Sequence, residues 1–289
     1  MLKVILARLQ QGHRTIAYPD EPAPQMPDRF RGRPVIDTAR CPQGCRDCAQ
    51  ACPTDAIHLT MNGARIDLGK CLFCTDCVEA CPAGAINYAT DYRLAVRQRQ
   101  DLILEQDQQV LKLADALDAK LMRLFGRSLK LRQVSAGGCN ACEADVNVLT
   151  TIGWDISRFG IQFVASPRHA DGLLITGPVT QNMELALRKA YDAVPAPKIV
   201  IAVGACAISG GPYADHEQVR NGADAIVPVD LYIPGCPPHP LTILDGLLRL
   251  LGRIEDGSRS ATASPSRQHR AETALEEPSP CEADAQQVK

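Results

Sequence analysis

The spacing of apolar side chains divides the chain into five stretches. In residues 1–12, Leu2, Ile5, Leu6 and Leu9 recur at i, i+3, i+4 and i+7, with Lys3 and Arg8 off the stripe, which predicts a short amphipathic helix. Such a helix either packs on its own domain or docks on a membrane surface or partner. Residues 17–34 are rich in Pro, so the first domain-sized stretch, 1–34, reads as a helix followed by an extended arm without a core of its own. Within 35–90, His58–Met61 and Ala64–Leu68 flank Asn62-Gly63, whose turn positions need positive φ, and together predict a β-hairpin.

From Tyr92 the pattern turns helical. Val110, Leu113, Ala114, Leu117, Leu121 and Leu124 form one stripe with Gly126 as a stop, so residues 91–127 are predicted as a helical linker. Residues 128–255 alternate strand and helix patterns: strands at Lys130–Val134, Ile161–Val164, Gly172–Thr176, Lys198–Val203 and Ile226–Leu231, helices at Met183–Ala193 and Leu241–Leu251. That alternation predicts an α/β module with a mostly parallel sheet. Residues 256–289 are rich in Ser, Ala, Glu and Gln without periodicity and are expected to be a disordered tail.

Composition narrows the function. Across 289 residues, the hydrophobic share of 45% and charged share of 22% are those of an ordinary globular protein. A net charge of −2 gives no electrostatic basis for a nucleic-acid partner. No apolar run reaches the roughly 18 residues a bilayer span needs, and Arg8 interrupts the first one before it resembles a secretory leader. A cytoplasmic, reducing location is therefore expected, where cysteines serve metals sooner than disulfides.

There are thirteen cysteines. Eight fall in two runs that each end in Cys-Pro: Cys41, Cys45, Cys48, Cys52-Pro53 and Cys71, Cys74, Cys77, Cys81-Pro82. An internal repeat accompanies them, since Cys52-Pro53-Thr54-Asp55-Ala56-Ile57 matches Cys81-Pro82-Ala83-Gly84-Ala85-Ile86. Thiolates at this spacing suit iron–sulfur clusters, and in two-cluster ferredoxins the fourth Cys of each run ligates the other cluster. By that exchange, one [4Fe–4S] cluster takes Cys41, Cys45, Cys48 and Cys81, and the second takes Cys71, Cys74, Cys77 and Cys52. The competing reading is structural zinc, which also uses Cys-x-x-Cys pairs, in a non-redox binding module. One gap is unusual: three residues separate Cys41 from Cys45 where the bacterial pattern has two, and Gly44 is expected to absorb the difference in a turn. So small a module buries little apolar surface, and metal ligation is the usual remedy.

Cys139, Cys142, Cys206 and Cys236 make a third set. Each segment follows a predicted strand, and ligands in open α/β sheets gather outside the carboxyl ends of strands. Neighbouring glycines (Gly137-Gly138, Gly204, Gly235) let backbone approach a cluster. Buried structural thiols are the plainer alternative. Glu143 and Asp145 either tune such a cluster or sit at a subunit interface. No phosphate-binding glycine loop is present: Ser209-Gly210-Gly211 is short and lacks the Lys.

Here the sequence resembles a known family. Ser166-Pro-Arg-His-Ala-Asp171, Thr176-Gly-Pro-Val-Thr180, Pro197 to Gly211 and Ile226 to Pro238 carry the likeness. They look like the component shared by NADH-quinone oxidoreductases (their B-type subunit) and energy-converting [NiFe] hydrogenases (their small subunit). Ala17-Tyr18-Pro19, Phe30-Arg31-Gly32-Arg33-Pro34 and the two cysteine runs resemble the two-cluster ferredoxin subunit of formate hydrogenlyase. The resemblance implies a fusion: an α+β ferredoxin-like module carrying two [4Fe–4S] clusters, then the α/β module with a third. Quinone-reducing members carry adjacent cysteines at the first position of the third set, whereas Cys139-Asn-Ala-Cys142 is of the hydrogenase kind. It further implies an oxidoreductase subunit with no catalytic residues of its own. Its partners would be a [NiFe] hydrogenase-type large subunit, an upstream iron–sulfur donor or acceptor subunit, and a membrane arm that holds it peripherally on the inner face of the cell membrane. The alternative is the B-type component of an NADH:quinone oxidoreductase. Arg168, His169 and Asp171 match the family pattern, with a hydrogen-bonded turn as their expected role.

Overall fold

In the computed structural model, residues 2–254 are described, apart from 13, 43, 61, 62 and 105–110. The expected tail at 256–289, with Cys281, lies outside the described residues. The first apolar stripe does form a helix, α1 (Leu2–Gln11). Its side chains do not pack on the protein: Leu2 is 74% and Leu9 73% exposed, with Val4, Ile5 and Leu6 also exposed. The self-packing reading of that stripe is therefore corrected.

The arm leads into β1 (Pro34–Ile36), then α2 (Asp47–Gln50), β2 (Ile57–Thr60), β3 (Gly63–Asp67), α3 (Asp76–Glu79) and β4 (Ile86–Tyr88). β1 pairs antiparallel with β4, so the two ends of the module close on each other. β2 and β3 form the expected hairpin with Thr60 opposite Gly63; its two connecting residues lie outside the described ones. A strand not anticipated, β5 (Ile103–Leu104), adds to β3 through Ile66 and Asp67.

The linker is not one helix. Among the described residues only α4 (Ala119–Phe125) is α-helical, started by Asp118, whose carboxylate accepts from the N–H groups of Lys120 and Leu121. Upstream, the chain is an extended strap on the α/β part. Val96 and Tyr232 exchange backbone hydrogen bonds at 3.0 and 2.9 Å, Ala114 N donates to Ala95 O, and Leu117 N donates to Leu250 O. Helical propensity here is a weak preference, and tertiary hydrogen bonds with burial of Ala114 and Leu117 override it.

The α/β part runs β6 (Leu129–Ser135), α5 (Ala141–Val148), β7 (Ile161–Phe163), β8 (Gly172–Thr176), α6 (Gln181–Ala193), β9 (Ile199–Val203), α7 (Ala205–Ser209), β10 (Leu231–Ile233) and α8 (Pro240–Leu250). The five strands are all parallel, in the order β10-β9-β8-β6-β7. β8 and β9 are buried along their whole length, as parallel strands covered on both faces must be. The fifth strand starts later than the expected Ile226–Leu231, because Pro228 interrupts that run and offers no N–H to a ladder.

Alternation along the strands sends side chains to two cores. Leu174, Ile199, Ile201 and Val203 meet α8, Val146 of α5, Leu149 just after it, and Tyr18 of the arm. Leu173, Ile175, Val200 and Ala202 face the other way, toward Leu187, Ala207 and Ile208. That second core continues without a break into Ile57, Ile66, Leu68, Phe73 and Ile86 of the ferredoxin-like part.

Candidate metal centres

The first cysteine run accommodates its long gap by a turn: Cys45 N donates to Pro42 O at 3.2 Å, and Gly44 takes a φ of +78°, open to a residue without a Cβ. Cys48 sits buried on α2 and Cys77 buried on α3. The repeat is visible in backbone detail. Asp55 and Gly84, at matching positions, both take positive φ (49° and 55°), and this aims the N–H of Ala56 at Cys52 Sγ and that of Ala85 at Cys81 Sγ, both at 3.2 Å.

The thiols group across the two runs. Burial raises the Cys48 pKa, and the charges of Cys41, Cys45 and Cys81 raise it further. Cys71 is pushed up to about 12, chiefly by burial, with Cys77 and Cys52 adding to it. Burial likewise raises Cys74 and Cys77, and both feel Cys52. Cys81 goes the other way, lowered by the N–H groups of Ala85, Ala83, Ile86 and Gly84. Cys48 thus feels Cys81 from the other run, and Cys71, Cys74 and Cys77 feel Cys52, so each run is electrostatically coupled to the fourth cysteine of the other. Phe73, at φ +53°, donates its N–H to Cys71 Sγ at 3.3 Å, and Tyr88 Oη donates to Cys74 O at 2.8 Å.

The third set is assembled by the sheet. β6, β9 and β10 end at Ser135, Val203 and Ile233, and the segments bearing Cys139 and Cys142, Cys206, and Cys236 leave from those carboxyl ends. Burial raises Cys142 strongly, with Cys206, Cys236 and Cys139 adding to it, and takes Cys206 to about 12, with Cys236 and Cys139 adding to it. Cys139 and Cys236 are exposed, so the site opens at the surface. Backbone crowds these sulfurs: a Cβ on Gly204 (φ +91°) would lie 2.5 Å from Cys142 Sγ, and one on Gly211 would lie 2.8 Å from Cys206 Sγ. Only glycine leaves that space to the sulfurs.

Glu143 lies buried beside Cys142. Its Oε1 accepts from Ser135 Oγ and Thr176 Oγ1, each at 2.7 Å. Burial raises its carboxyl, but those two hydroxyls outweigh it and the net pKa is below the usual range. Asp145, raised by burial, lines a cavity of about 410 Å³ with Arg29, Phe30, Phe73, Cys236 and His239. Arg168 and His169 lie in a short 3₁₀ turn, and Asp171 exchanges hydrogen bonds with Lys130 at the amino ends of β6 and β8, opposite the carboxyl ends that lead to the third set. Their place in the fold is that of a structural turn.

Donor chemistry fits iron–sulfur clusters. Four thiolates about one zinc ion, each at about 2.3 Å, must converge closely; in a four-iron cluster each thiolate takes its own iron. N–H groups aimed at Cys52, Cys71 and Cys81 suit sulfurs that carry charge.

Family comparisons fall on the same two parts. Residues 33–91 match the 4Fe-4S dicluster domain, and residues 139–250 match the family described as NADH ubiquinone oxidoreductase, 20 Kd subunit. A probable membrane-bound hydrogenase subunit, mbhJ, of Pyrococcus furiosus is 41% identical over 136 residues, 47% of this chain and 81% of that protein. The chain belongs to the NADH ubiquinone oxidoreductase 20 Kd subunit family. Within that family, formate hydrogenlyase subunit 7 of Escherichia coli is 46% identical over 140 residues, 48% of this chain; the match spans only about half (55%) of that relative. The B-type subunit of the Clostridium beijerinckii NADH-quinone oxidoreductase is 46% identical over 118 residues, 40% of this chain and 70% of that protein. The relatives are thus subunits of oxidoreductases, on both the hydrogenase and the quinone side.

Sequence reasoning missed the partners of Glu143. The signal available was position alone: Thr176 ends a predicted strand, and Ser135 lies one residue beyond another. It also missed Tyr18 as more than part of an arm: its hydroxyl reaches Asp245 inside the α/β core.

Proposed function

We propose that this chain is an iron–sulfur electron-transfer subunit with three [4Fe–4S] clusters, relaying single electrons to or from the [NiFe] site of a partner large subunit in a membrane-associated energy-converting hydrogenase. The observation that carries this is the gathering of Cys139, Cys142, Cys206 and Cys236 at the carboxyl edge of the sheet, with the thiol of Cys74 near enough to raise the pKa of Cys236. In this reading the second set neighbours the third, and the electron path would run from Cys41, Cys45, Cys48 and Cys81, through Cys52, Cys71, Cys74 and Cys77, to the surface-open third set.

Such clusters supply one-electron chemistry over roughly −700 to +450 mV. The chain's part is to hold and tune. N–H groups of Ala56, Phe73 and Ala85 favour the added negative charge of reduction, and ionised Glu143 opposes it at the third site. Exposed Cys139 and Cys236 face where a large subunit would close over the site, while an upstream iron–sulfur subunit would meet the Cys41 end. No catalytic residue is assigned to this chain. Among the described residues no helix is long and apolar enough to cross a membrane. Contact with a membrane arm on the cytoplasmic face would therefore be peripheral in this reading, and the membrane-bound hydrogenase relative supports it.

Anaerobic purification of the complex tests this. About four irons per cysteine set and stoichiometric nickel in the large subunit are expected; an iron-free, colourless chain ends the relay. A second reading, the B-type component of an NADH:quinone oxidoreductase, is favoured by the Clostridium beijerinckii relative. An iron-loaded complex without nickel would select it.

A further inference from the structure

Two of the cysteine sets are tied together by a joint that no cysteine belongs to. Gly69 stands two residues before Cys71, and Ser209 stands three residues after Cys206, at the end of α7. Ser209 Oγ lies 2.8 Å from Gly69 O and 3.1 Å from Ala205 O, so one hydroxyl links the loop of the second set to the helix of the third. The loop is itself held rigid. Asp67 receives both Arg99 guanidinium nitrogens (2.8 and 2.7 Å) and Gly69 N (2.8 Å), while its carbonyl accepts from Cys71 N at 3.0 Å. Across the joint, burial raises the pKa of Asp224 and Tyr232, and Arg99 opposes the rise at both.

Gly69 leaves no slack. A Cβ there would lie 2.7 Å from Arg99 Cζ and 2.8 Å from Ile208 Cγ2 of α7. Its φ lies outside the left-handed region, so the absence of a side chain serves the close approach of the two parts and no backbone conformation. A bidentate Arg–carboxylate pair adds geometric precision that a single hydrogen bond lacks.

We propose that Gly69 and Ser209 are positioning residues, which set the gap between the second and third clusters; this rests on the relay reading above. With clusters held by the two cysteine sets, the step these residues would govern is the passage of one electron from a reduced second cluster to an oxidised third. No bond or proton changes hands. Tunnelling weakens steeply with distance, so a joint that fixes the gap fixes the rate.

The test uses the full chain in its complex, purified anaerobically, with Gly69→Ala and Ser209→Ala. Electron paramagnetic resonance of the fully reduced protein reads the magnetic interaction between the second and third clusters, and rapid-freeze trapping reads the transfer between them. Expected in both variants are unchanged iron content, unchanged signals from singly reduced clusters, a smaller interaction splitting and slower transfer, with the larger effect in Gly69→Ala. Unchanged splitting and rate in both variants would overturn the proposal. If Gly69→Ala loses iron, Ser209→Ala, which adds no volume, decides alone. Failure of the relay reading looks different: the unaltered chain then lacks the third signal altogether.

Discussion

Tyr18 and Asp245 stand 227 residues apart, and the hydroxyl of the first donates to Oδ1 of the second at 2.7 Å inside the protein. Asp245 is fully buried on α8, and Arg249, one turn on, donates to its Oδ2 at 2.8 Å. Arg158 in turn donates to the carbonyl of Tyr18 at 2.7 Å. The Pro-rich arm is thus locked into the α/β core by polar contacts in a low-dielectric setting, where an orphaned partner is costly.

Tyr18→Phe removes that hydroxyl and should lower stability by about 1.5–3 kcal/mol, the usual worth of a hydrogen bond to a charged group. Asp245→Leu removes the carboxylate facing both Tyr18 and Arg249 and should cost about 3–5 kcal/mol. Anaerobic thermal unfolding of the iron-loaded protein checks both. A Tyr18→Phe protein as stable as the parent would show the lock to be idle.

Glu143 places one ionised oxygen against Ser135 and Thr176, which are register partners in the β6–β8 ladder. Reduction adds negative charge nearby, so Glu143→Gln should shift the potential of the third cluster upward, by on the order of tens of millivolts. The other two clusters should keep their values in a redox titration followed by electron paramagnetic resonance. A downward shift would contradict an anionic Glu143.

Gly204→Ala should abolish the third signal while sparing the first two. The new methyl would stand 2.5 Å from Cys142 Sγ, at a φ of +91° that side chains resist. Iron content should fall by about one cluster's worth, four irons. Full iron content with three signals would remove Gly204 from the site.

The exchange between the two ferredoxin runs predicts crossed outcomes. Cys52→Ser should alter the cluster of Cys71, Cys74 and Cys77, and Cys81→Ser that of Cys41, Cys45 and Cys48. If each change instead perturbed the cluster of its own run, the grouping around Cys48 and Cys71 would be wrong.

Much of this protein is written locally. Thiolates two or three residues apart need only a tight turn to share a cluster, so the ferredoxin runs announce themselves. β8 and β9 were readable as apolar runs because both faces of a central parallel strand are buried. For Cys139, Cys142, Cys206 and Cys236 the spacing alone left buried structural thiols open, and it was the family resemblance that pointed to a third set.

What needed three dimensions were the effects of contacts between distant segments. The apolar stripe from Leu113 to Leu124 reads as one helix, yet only its second half, from Ala119, is helical; before that, Ala95 and Leu250 supply hydrogen-bond partners to Ala114 and Leu117, and burial, that no local window contains. Neighbouring placement of the second and third sets depends on Gly69 meeting Ser209, 140 residues away. Chain order specifies which sulfurs are available; the packing of two cores against one sheet decides which of them stand close enough to exchange an electron.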